Sequence, residues 1–240
     1  MQTQICFYDL NFESSSKMLD NIIKFPVKNS FGIMEIKKLD KPKPKPADSV
    51  KTLEEIEKIK KYFLDRREYR NYCLFIIGIK TGYRISDLLS LKFSDFFEDY
   101  ETWKREIDIT EQKTKKRRTM PISENMKTAM NLYIKNKGGF LLSEYIFKSQ
   151  KGKNAPIDKS SARKIFDNMA TDLNLPYHCS THFLRKTFAY WFLQIQNNDM
   201  SALITLQDIL NHSSEKMTLK YCGIEKERKE AMLKDLSELW

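Results

Sequence analysis

The sequence predicts a mainly α-helical domain with a small antiparallel β-sheet, an α+β fold. From about Val50 to Trp240, most segments place apolar residues at helical spacing. Two segments, Arg105–Thr110 and Arg117–Ile122, instead alternate polar and apolar residues around a basic turn, as in a β-hairpin. No internal repeat is visible, so we expect one domain and not a repeat array.

A short arm precedes this domain. Its last part, Lys38–Ser49, alternates lysine and proline, a pattern that favours an extended, solvated chain. We therefore divide the chain into residues 1–48, an arm with a stiff linker, and residues 49–240, the domain. The arm has too few apolar residues to form a core of its own.

Composition and charge narrow the class of protein. The 240 residues are 41% apolar and 31% charged, which is typical of a soluble globular chain. The longest apolar run, Cys73–Ile79, is far shorter than the ~18 residues of a membrane span, and no secretory signal opens the sequence. The four cysteines form no CxxC pair, so we expect a cytoplasmic protein without a membrane partner. The net charge of +10 suits a polyanion such as nucleic acid, or serves solubility alone.

Boundary signals place the helices in order. Thr52 and Glu55 form a predicted capping box at the start of the first helix, and Gly82 is the predicted C-cap of the second. A short helix, ISDLLSL, comes next, and Ser123 is the predicted N-cap of the helix after the hairpin. Beyond Asp158 the pattern is helical to the end of the chain.

Two of these later helices carry an apolar stripe. The stripe of THFLRKTFAYWFLQI, which we expect to face the core, consists of Leu184, Phe188, Trp191, Phe192 and Ile195. The stripe of the last helix consists of Met232, Leu233, Leu236, Leu239 and Trp240.

Four motifs carry candidate functional residues. In TGYRISD, Arg84 lies at a helix boundary, where free backbone N–H groups also attract anions, and Asp87 is placed to orient it. In HFLR, His182 and Arg185 are three residues apart, so they are neighbours at the edge of the apolar stripe. Taken separately, each motif has a commoner explanation. Arg84 and Asp87 can form a surface ion pair worth ~0–1 kcal/mol. Arg185 lies beside an apolar stripe, and an arginine in such a position usually extends to solvent or pairs with a carboxylate.

The third motif is the basic turn EQKTKKRR, and the fourth is NHSSEKMTLKYCG. Lys113 lies near the tip of the hairpin, from which it can reach into a cleft. His212 lies just past a helix end, and Tyr221 ends the short helix that follows. A solvated charge run, a capping histidine and a packed tyrosine ring are the commoner outcomes for these three features when each is taken alone. Most of the other basic residues of the turn are expected to contact phosphates or to be solvated: Lys115, Lys116, Arg117 and Arg118.

Together, these motifs resemble the catalytic domain of the tyrosine recombinases of the phage-integrase type. That family pattern has an arginine in a T-G-x-R-x-S-[DE] context, a hairpin lysine, an H-x-x-R helix, a histidine in an L-x-H-S-S context, and a tyrosine about nine residues later. The matching segments here are TGYRISD, EQKTKKRRTMPI, HFLR, LNHSS and Tyr221, and they span roughly residues 51–240. The resemblance implies the fold of that catalytic domain.

The resemblance also implies a reaction. Tyr221 would be the nucleophile that attacks a DNA phosphodiester, which leaves a 3′-phosphotyrosyl link and a free 5′-hydroxyl. Arg84 and Arg185 would clamp the phosphate oxygens, because guanidinium groups grip phosphate in a bidentate manner. Neither a metal ion nor ATP is implied, since the cations meet the developing charge and the phosphotyrosine keeps the bond energy.

The remaining roles follow from the same resemblance. His212 would donate a hydrogen bond to the phosphate, Lys113 would protonate the leaving 5′-oxygen, and His182 would help to take the tyrosine proton. Lys115 and Lys116 compete with Lys113 for its role. Asp87 would orient Arg84 without contacting the phosphate itself. Lys186 stands where the family often has histidine, and it would contact DNA together with the basic turn.

The implied partners are double-stranded DNA, further copies of the chain in a tetramer on DNA, and accessory DNA-bending proteins. The last helix would dock on a neighbouring protomer, although packing on its own domain is the simpler expectation. Typical members carry a helical core-binding domain of about a hundred residues before the linker. Here about 48 residues precede the domain, so the arm is either a remnant of that domain or part of a naturally short recombinase.

Three other functions remain open at this stage. One is a DNA-binding protein of the same fold that no longer catalyses, and another is a type IB topoisomerase. The third is a metal site at His178, Cys179 and His182, for which no further ligand is evident.

Overall fold

Helices dominate the part of the chain that the structure describes, in agreement with the fold class that the sequence predicts. The computed structural model describes residues 26–28, 34–36, 48–150, 154–196, 199–224, 233–234 and 236–237. The chain divides into two compact units, Met1–Pro44 and Lys45–Trp240. In the first unit, strand β1 (Pro26–Lys28) pairs antiparallel with strand β2 (Met34–Ile36). Most of the predicted linker lies outside the described residues.

The second unit contains eight α-helices in its described part, together with one hairpin. The helices are α1 (Leu53–Asp65), α2 (Tyr69–Thr81), α3 (Ile85–Leu89), α4 (Glu124–Lys137), α5 (Lys159–Asp172), α6 (Phe183–Ile195), α7 (Met200–Leu210) and α8 (Glu215–Cys222). The hairpin consists of β3 (Glu106–Thr110) and β4 (Arg117–Pro121), which pair antiparallel with Ile107 opposite Met120. Each strand is one residue shorter than the sequence predicts. None of the described helices combines the length and apolar character needed to cross a bilayer.

The helix boundaries follow local chemistry. The Thr52 hydroxyl accepts a hydrogen bond from the Glu55 amide at 3.1 Å, as expected for the start of α1. Gly82 ends α2 with a φ of 58°, and a Cβ added there would lie 2.4 Å from Cδ1 of Phe188. Only glycine satisfies both the left-handed backbone and this close approach of α6. Arg84 follows two residues later and is therefore placed by a rigid corner.

The core has two parts. The larger part surrounds α2, which packs against both α4 and α6 and is buried along most of its length. The smaller part lies between the C-terminal half of α6 and helices α7 and α8, and includes Phe188, Leu206, Leu210 and Cys222. Ile195 is an exception to the predicted stripe: it is the last residue of α6 and is 72% exposed, whereas Leu193 is buried in its place.

Candidate active site

Arg185 joins the ends of two helices. It is the third residue of α6, and its side chain is almost completely buried. Its guanidinium donates to the Gly82 carbonyl at 3.0 Å and to the Leu210 carbonyl at 2.6 Å, at the C-terminal ends of α2 and α7. The partial negative charge of helix C-termini stabilises a cation there. Burial lowers the pKa of Arg185 to about 10, so the group stays charged at neutral pH.

Glu111 is a central residue of the site that sequence reasoning missed. This first residue of the hairpin turn is fully buried, and its Oε2 atom lies 2.5 Å from Nη1 of Arg84. The same oxygen accepts from the Thr114 hydroxyl at 2.5 Å and from the Asn211 amide at 3.2 Å. Burial by itself raises the pKa of Glu111, but the hydrogen bonds from Thr114 and Arg84 and the nearby arginine charges outweigh it and hold the pKa below its ordinary value. A single acid within a strongly basic turn was the available signal in the sequence.

Asp87 has a different partner from the one expected. Its Oδ1 atom accepts from the Gln112 amide at 2.9 Å, and its side chain is buried. Within the described part of the chain no ion pair links Asp87 to Arg84, which pairs with Glu111 instead. Asp87 therefore supports the hairpin turn beside Lys113, and the expectation that it orients Arg84 is corrected.

Arg118 also departs from expectation, because its side chain points inward. It is 7% exposed, donates to the Thr81 carbonyl at 2.5 Å, and lies 4.8 Å from the centroid of the Tyr83 ring. Side chains alternate between the two faces of a strand, and on β4 the inner face takes Arg118 while Arg117 faces solvent. A phosphate at the surface cannot reach such a group, so Arg118 is a structural residue of the site and not a DNA contact.

The other basic residues of the turn are accessible. Arg117 is exposed and forms a bidentate pair with Asp108 across the hairpin, with Nε 2.9 Å from both carboxylate oxygens. Lys113, Lys115 and Lys116 are exposed as well. Lys116 lines a shallow cavity together with Asn211 and His212. The turn thus exposes its lysines directly after Glu111, the buried partner of Arg84.

His212 is fixed at the end of α7. Asn211 adopts the left-handed conformation there, with a φ of 51°, and so ends the helix as its sequence position indicates. Nδ1 of His212 lies 3.0 Å from the hydroxyl of Thr218 on α8. Burial, together with the charges of Arg185 and Arg84, lowers the pKa of His212 to about 4. The imidazole is therefore neutral at physiological pH.

Tyr221 lies against the same cluster. Its ring meets the His212 ring edge to face, with centroids 5.1 Å apart, and Nζ of Lys186 lies 5.6 Å from the centroid of the Tyr221 ring. The hydroxyl is buried and has no hydrogen-bond partner of ordinary geometry within the described residues. Burial raises the pKa of Tyr221 to about 12, although the charges of Arg185 and Arg84 act in the opposite direction. The phenol is protonated at neutral pH and needs a base before it can act as a nucleophile.

His182 stands at the N-terminus of α6, one turn before Arg185. It is an exposed residue within a group of cations: loss of hydration at the ring and the charges of Arg185, Lys186, Arg84 and Lys113 lower its pKa. A neutral imidazole is a competent proton acceptor.

His178 and Cys179, the other members of the candidate metal site, have different surroundings. Nδ1 of His178 lies 3.4 Å from Oδ1 of Asp167, and Cys179 is buried with a pKa raised to about 12 by burial. Over the described ranges, no three histidine, cysteine or acidic side chains are grouped to hold a metal ion.

The site therefore gathers residues from four separated segments. Two buried or half-buried guanidiniums, two neutral imidazoles and a buried phenol share one region beside an exposed, lysine-rich turn. Such a region suits a phosphate group, because fixed cations can receive its charge without metal ligands.

Comparisons with known proteins identify a family for this chain. The family model described as the phage integrase family matches residues 49–228. The probable integrase/recombinase YoeC of Bacillus subtilis is 37% identical over 185 residues, which cover 77% of this chain and 94% of YoeC. The tyrosine recombinase XerC of Bacillus licheniformis is 29% identical over 210 residues, which cover 85% of this chain and 65% of XerC.

Solved structures show the same fold. The XerA recombinase superposes with a TM-score of 0.60 at 20% identity, over 82% of this chain and 66% of XerA. The Tn1549 transposon integrase, in complex with transposon right end DNA, gives a TM-score of 0.58 at 25% identity, over 77% of this chain and 64% of that integrase. This chain thus spans almost the whole of YoeC and about two thirds of the other three proteins.

Proposed function

Because the chain belongs to the phage integrase family, the tyrosine-type site-specific recombinases, we propose that it cuts and rejoins double-stranded DNA through a 3′-phosphotyrosyl intermediate at Tyr221. The observation that carries this proposal is the position of Tyr221, whose ring contacts His212 and whose pKa responds most strongly, after burial, to the charge of Arg185. The phenol can act as the nucleophile, and the guanidinium and imidazole beside it can bind the phosphate that it attacks.

In the proposed cleavage step, Oη of Tyr221 attacks the phosphorus and the bond from phosphorus to the 5′-oxygen breaks. His182 takes the phenol proton, and Lys113 gives a proton to the departing 5′-oxygen. Arg84 and Arg185 stabilise the extra negative charge of the phosphorane, with a hydrogen bond from His212. Attack by another 5′-hydroxyl on the phosphotyrosine then reseals a strand, and the balance requires neither a metal ion nor ATP.

The proposed DNA contacts surround this centre. Lys115, Lys116 and Arg117 are exposed on the hairpin, where phosphates of the duplex can reach them, and Lys186 lies beside the nucleophile. We assign residues 49–240 to the catalytic domain and residues 1–48 to the arm. The Tn1549 integrase is described as in complex with transposon right end DNA, which supports DNA as the substrate of this chain.

The proposed assembly is a tetramer of this chain on DNA, with accessory DNA-bending proteins, in the cytoplasm. Leu233 and Leu236 of the last predicted helix lie within the described residues and are 55% and 48% exposed. Exposed leucines on one helical stripe suit docking on a second copy. Met232, Leu239 and Trp240 of the same stripe lie outside the described residues.

Capture of covalent adducts tests the proposal. The protein is incubated, with EDTA and without ATP, with a pool of nicked duplexes whose core is randomised and whose short 5′-hydroxyl fragment diffuses away after cleavage. We expect adducts that survive detergent on a restricted set of sequences, and none with Tyr221→Phe. Adducts on all sequences alike indicate a topoisomerase, and binding without adducts indicates a catalytically silent protein.

A further inference from the structure

We infer that Glu111 is a positioning residue for DNA cleavage, because its carboxylate ties the turn that carries Lys113 to Arg84. This inference rests on the proposed function and goes beyond it by assigning a role to a buried acid. Glu111 is fully buried, so DNA cannot contact it, and any effect on cleavage must pass through its neighbours.

The contacts of Glu111 connect three parts of the site. Its Oε2 atom receives hydrogen bonds from Arg84 at the start of α3, from Thr114 in the turn and from Asn211 at the end of α7. Its Oε1 atom lies 3.7 Å from Arg118 and 3.9 Å from Arg185. One carboxylate thus contacts or faces three guanidiniums, a hydroxyl and an amide.

The backbone of the turn also closes on Glu111. Its amide donates to the Lys116 carbonyl at 2.9 Å, and its carbonyl accepts from the Lys115 amide at 2.9 Å. Lys113 therefore lies between two anchored neighbours: Asp87 holds the Gln112 amide, and Glu111 holds the Thr114 hydroxyl. The Lys113 side chain is exposed, but the backbone from which it starts is fixed on both sides.

The charge balance explains why an acid is needed at this position. Arg84, Arg118 and Arg185 carry three positive charges in a buried or half-buried region. Glu111 offsets one of these charges and faces all three guanidiniums. Without the carboxylate, the three guanidiniums repel one another and Arg84 loses the partner that sets its direction. A small error in the placement of a general acid or a clamp is enough to slow the reaction greatly.

A DNA substrate with a 5′-bridging sulfur distinguishes a misplaced Lys113 from a general loss of activity. In this phosphorothiolate the leaving group is a thiol, which departs as a thiolate and needs no proton from Lys113. We expect Glu111→Gln to slow adduct formation about 10- to 100-fold on an ordinary duplex of the captured sequence. On the phosphorothiolate duplex, we expect this deficit to shrink at least tenfold.

Thr114→Val provides a second variant that keeps the charge of Glu111 and deletes only the hydroxyl link. It should slow cleavage of the ordinary duplex about tenfold, with the same relief on the phosphorothiolate. Thr119→Val is the matched control, since Thr119 is an exposed threonine on β4 of the same hairpin, and its cleavage rates should match the wild type on both substrates. Should Glu111→Gln fail to fold, Thr114→Val decides the matter.

The outcomes are distinct. Relief on the phosphorothiolate for either variant supports the positioning role, whereas equal deficits on the two substrates overturn it while the proposed function stands. A wild-type protein that forms no adduct on either substrate removes the proposed function, and this inference with it.

Discussion

The imidazole of His212 meets the ring of Tyr221 edge to face, with the ring centroids 5.1 Å apart and the planes inclined by 72°. His212 follows α7 and Tyr221 lies in the last turn of α8. Thr218, on α8 between them, holds the other side of the imidazole through the 3.0 Å contact with Nδ1. The same short helix thus positions the proposed nucleophile and orients the histidine beside it.

Thr218→Val tests this arrangement. The Thr218 hydroxyl lies 3.0 Å from Nδ1 of His212 and 3.4 Å from the Ser214 carbonyl, so it ties the imidazole to the first turn of α8 and fixes the direction of the ring. Thr218 is fully buried, so its loss does not remove a DNA contact. We expect cleavage to slow about tenfold at unchanged DNA affinity. In the double variant with His212→Ala, Thr218→Val should add nothing further; an additive loss contradicts the shared role.

The lowered pKa of His212 predicts a pH dependence of stability. The folded protein binds the proton only near pH 4, whereas the unfolded chain binds it near the ordinary value of about 6.5. Between these values the unfolded state carries more protons, so stability falls as the pH falls. Thermal melts at pH 7 and pH 5 should show a larger decrease in Tm for the wild type than for His212→Gln. Equal decreases contradict a buried neutral imidazole.

The neighbouring residues Arg117 and Arg118 should differ sharply in their contribution to stability. Replacement of Arg118 leaves Glu111 and the Thr81 carbonyl without a buried partner. We therefore expect the free energy of unfolding to fall by about 3–5 kcal/mol. Arg117 pairs with Asp108 in solvent, where screening by water and salt leaves such a pair little net effect on stability. Urea unfolding of Arg118→Met and Arg117→Met measures both. Similar losses for the two variants indicate that Arg118 is not held inward.

The lysines of the turn should have two different functions: Lys113 is the general acid, and Lys115 and Lys116 contact DNA phosphates. Replacement of Lys115 and Lys116 together by glutamine should lower the slope of log affinity against log salt by about 1.8, with the cleavage rate at saturating DNA unchanged. Lys113→Gln should instead slow cleavage about 10²- to 10⁴-fold with little change in that slope. If the Lys115 and Lys116 replacements abolish cleavage and Lys113→Gln does not, the general acid is one of the other two lysines.

The features predicted correctly from sequence are those with a local cause. Thr52 begins α1 through a hydrogen bond of its own side chain, and Gly82 ends α2 through its own backbone angles. The fold class and the family could be predicted because short motifs with fixed spacing are recognisable in the sequence without knowledge of tertiary packing.

The features that were missed depend on tertiary contacts. Glu111 is notable only once Arg84 and Asn211, 27 residues before and 100 residues after it, are close to it. Asp87 stands in the expected motif, but its partner, Gln112, comes from the hairpin. The inward direction of Arg118 followed in principle from the alternation of β4, yet the run of positive charge suggested an exposed face.

Mass spectrometry of the captured adduct identifies the nucleophile. The protein–DNA adduct is digested with protease and nuclease, and the peptide that retains a nucleotide through a phosphotyrosine is sequenced. We expect a single modified residue, Tyr221, with a 3′-linked nucleotide, and no adduct from Tyr221→Phe at equal DNA binding. A modified peptide that contains another tyrosine, such as Tyr190 of α6, contradicts the assignment of Tyr221.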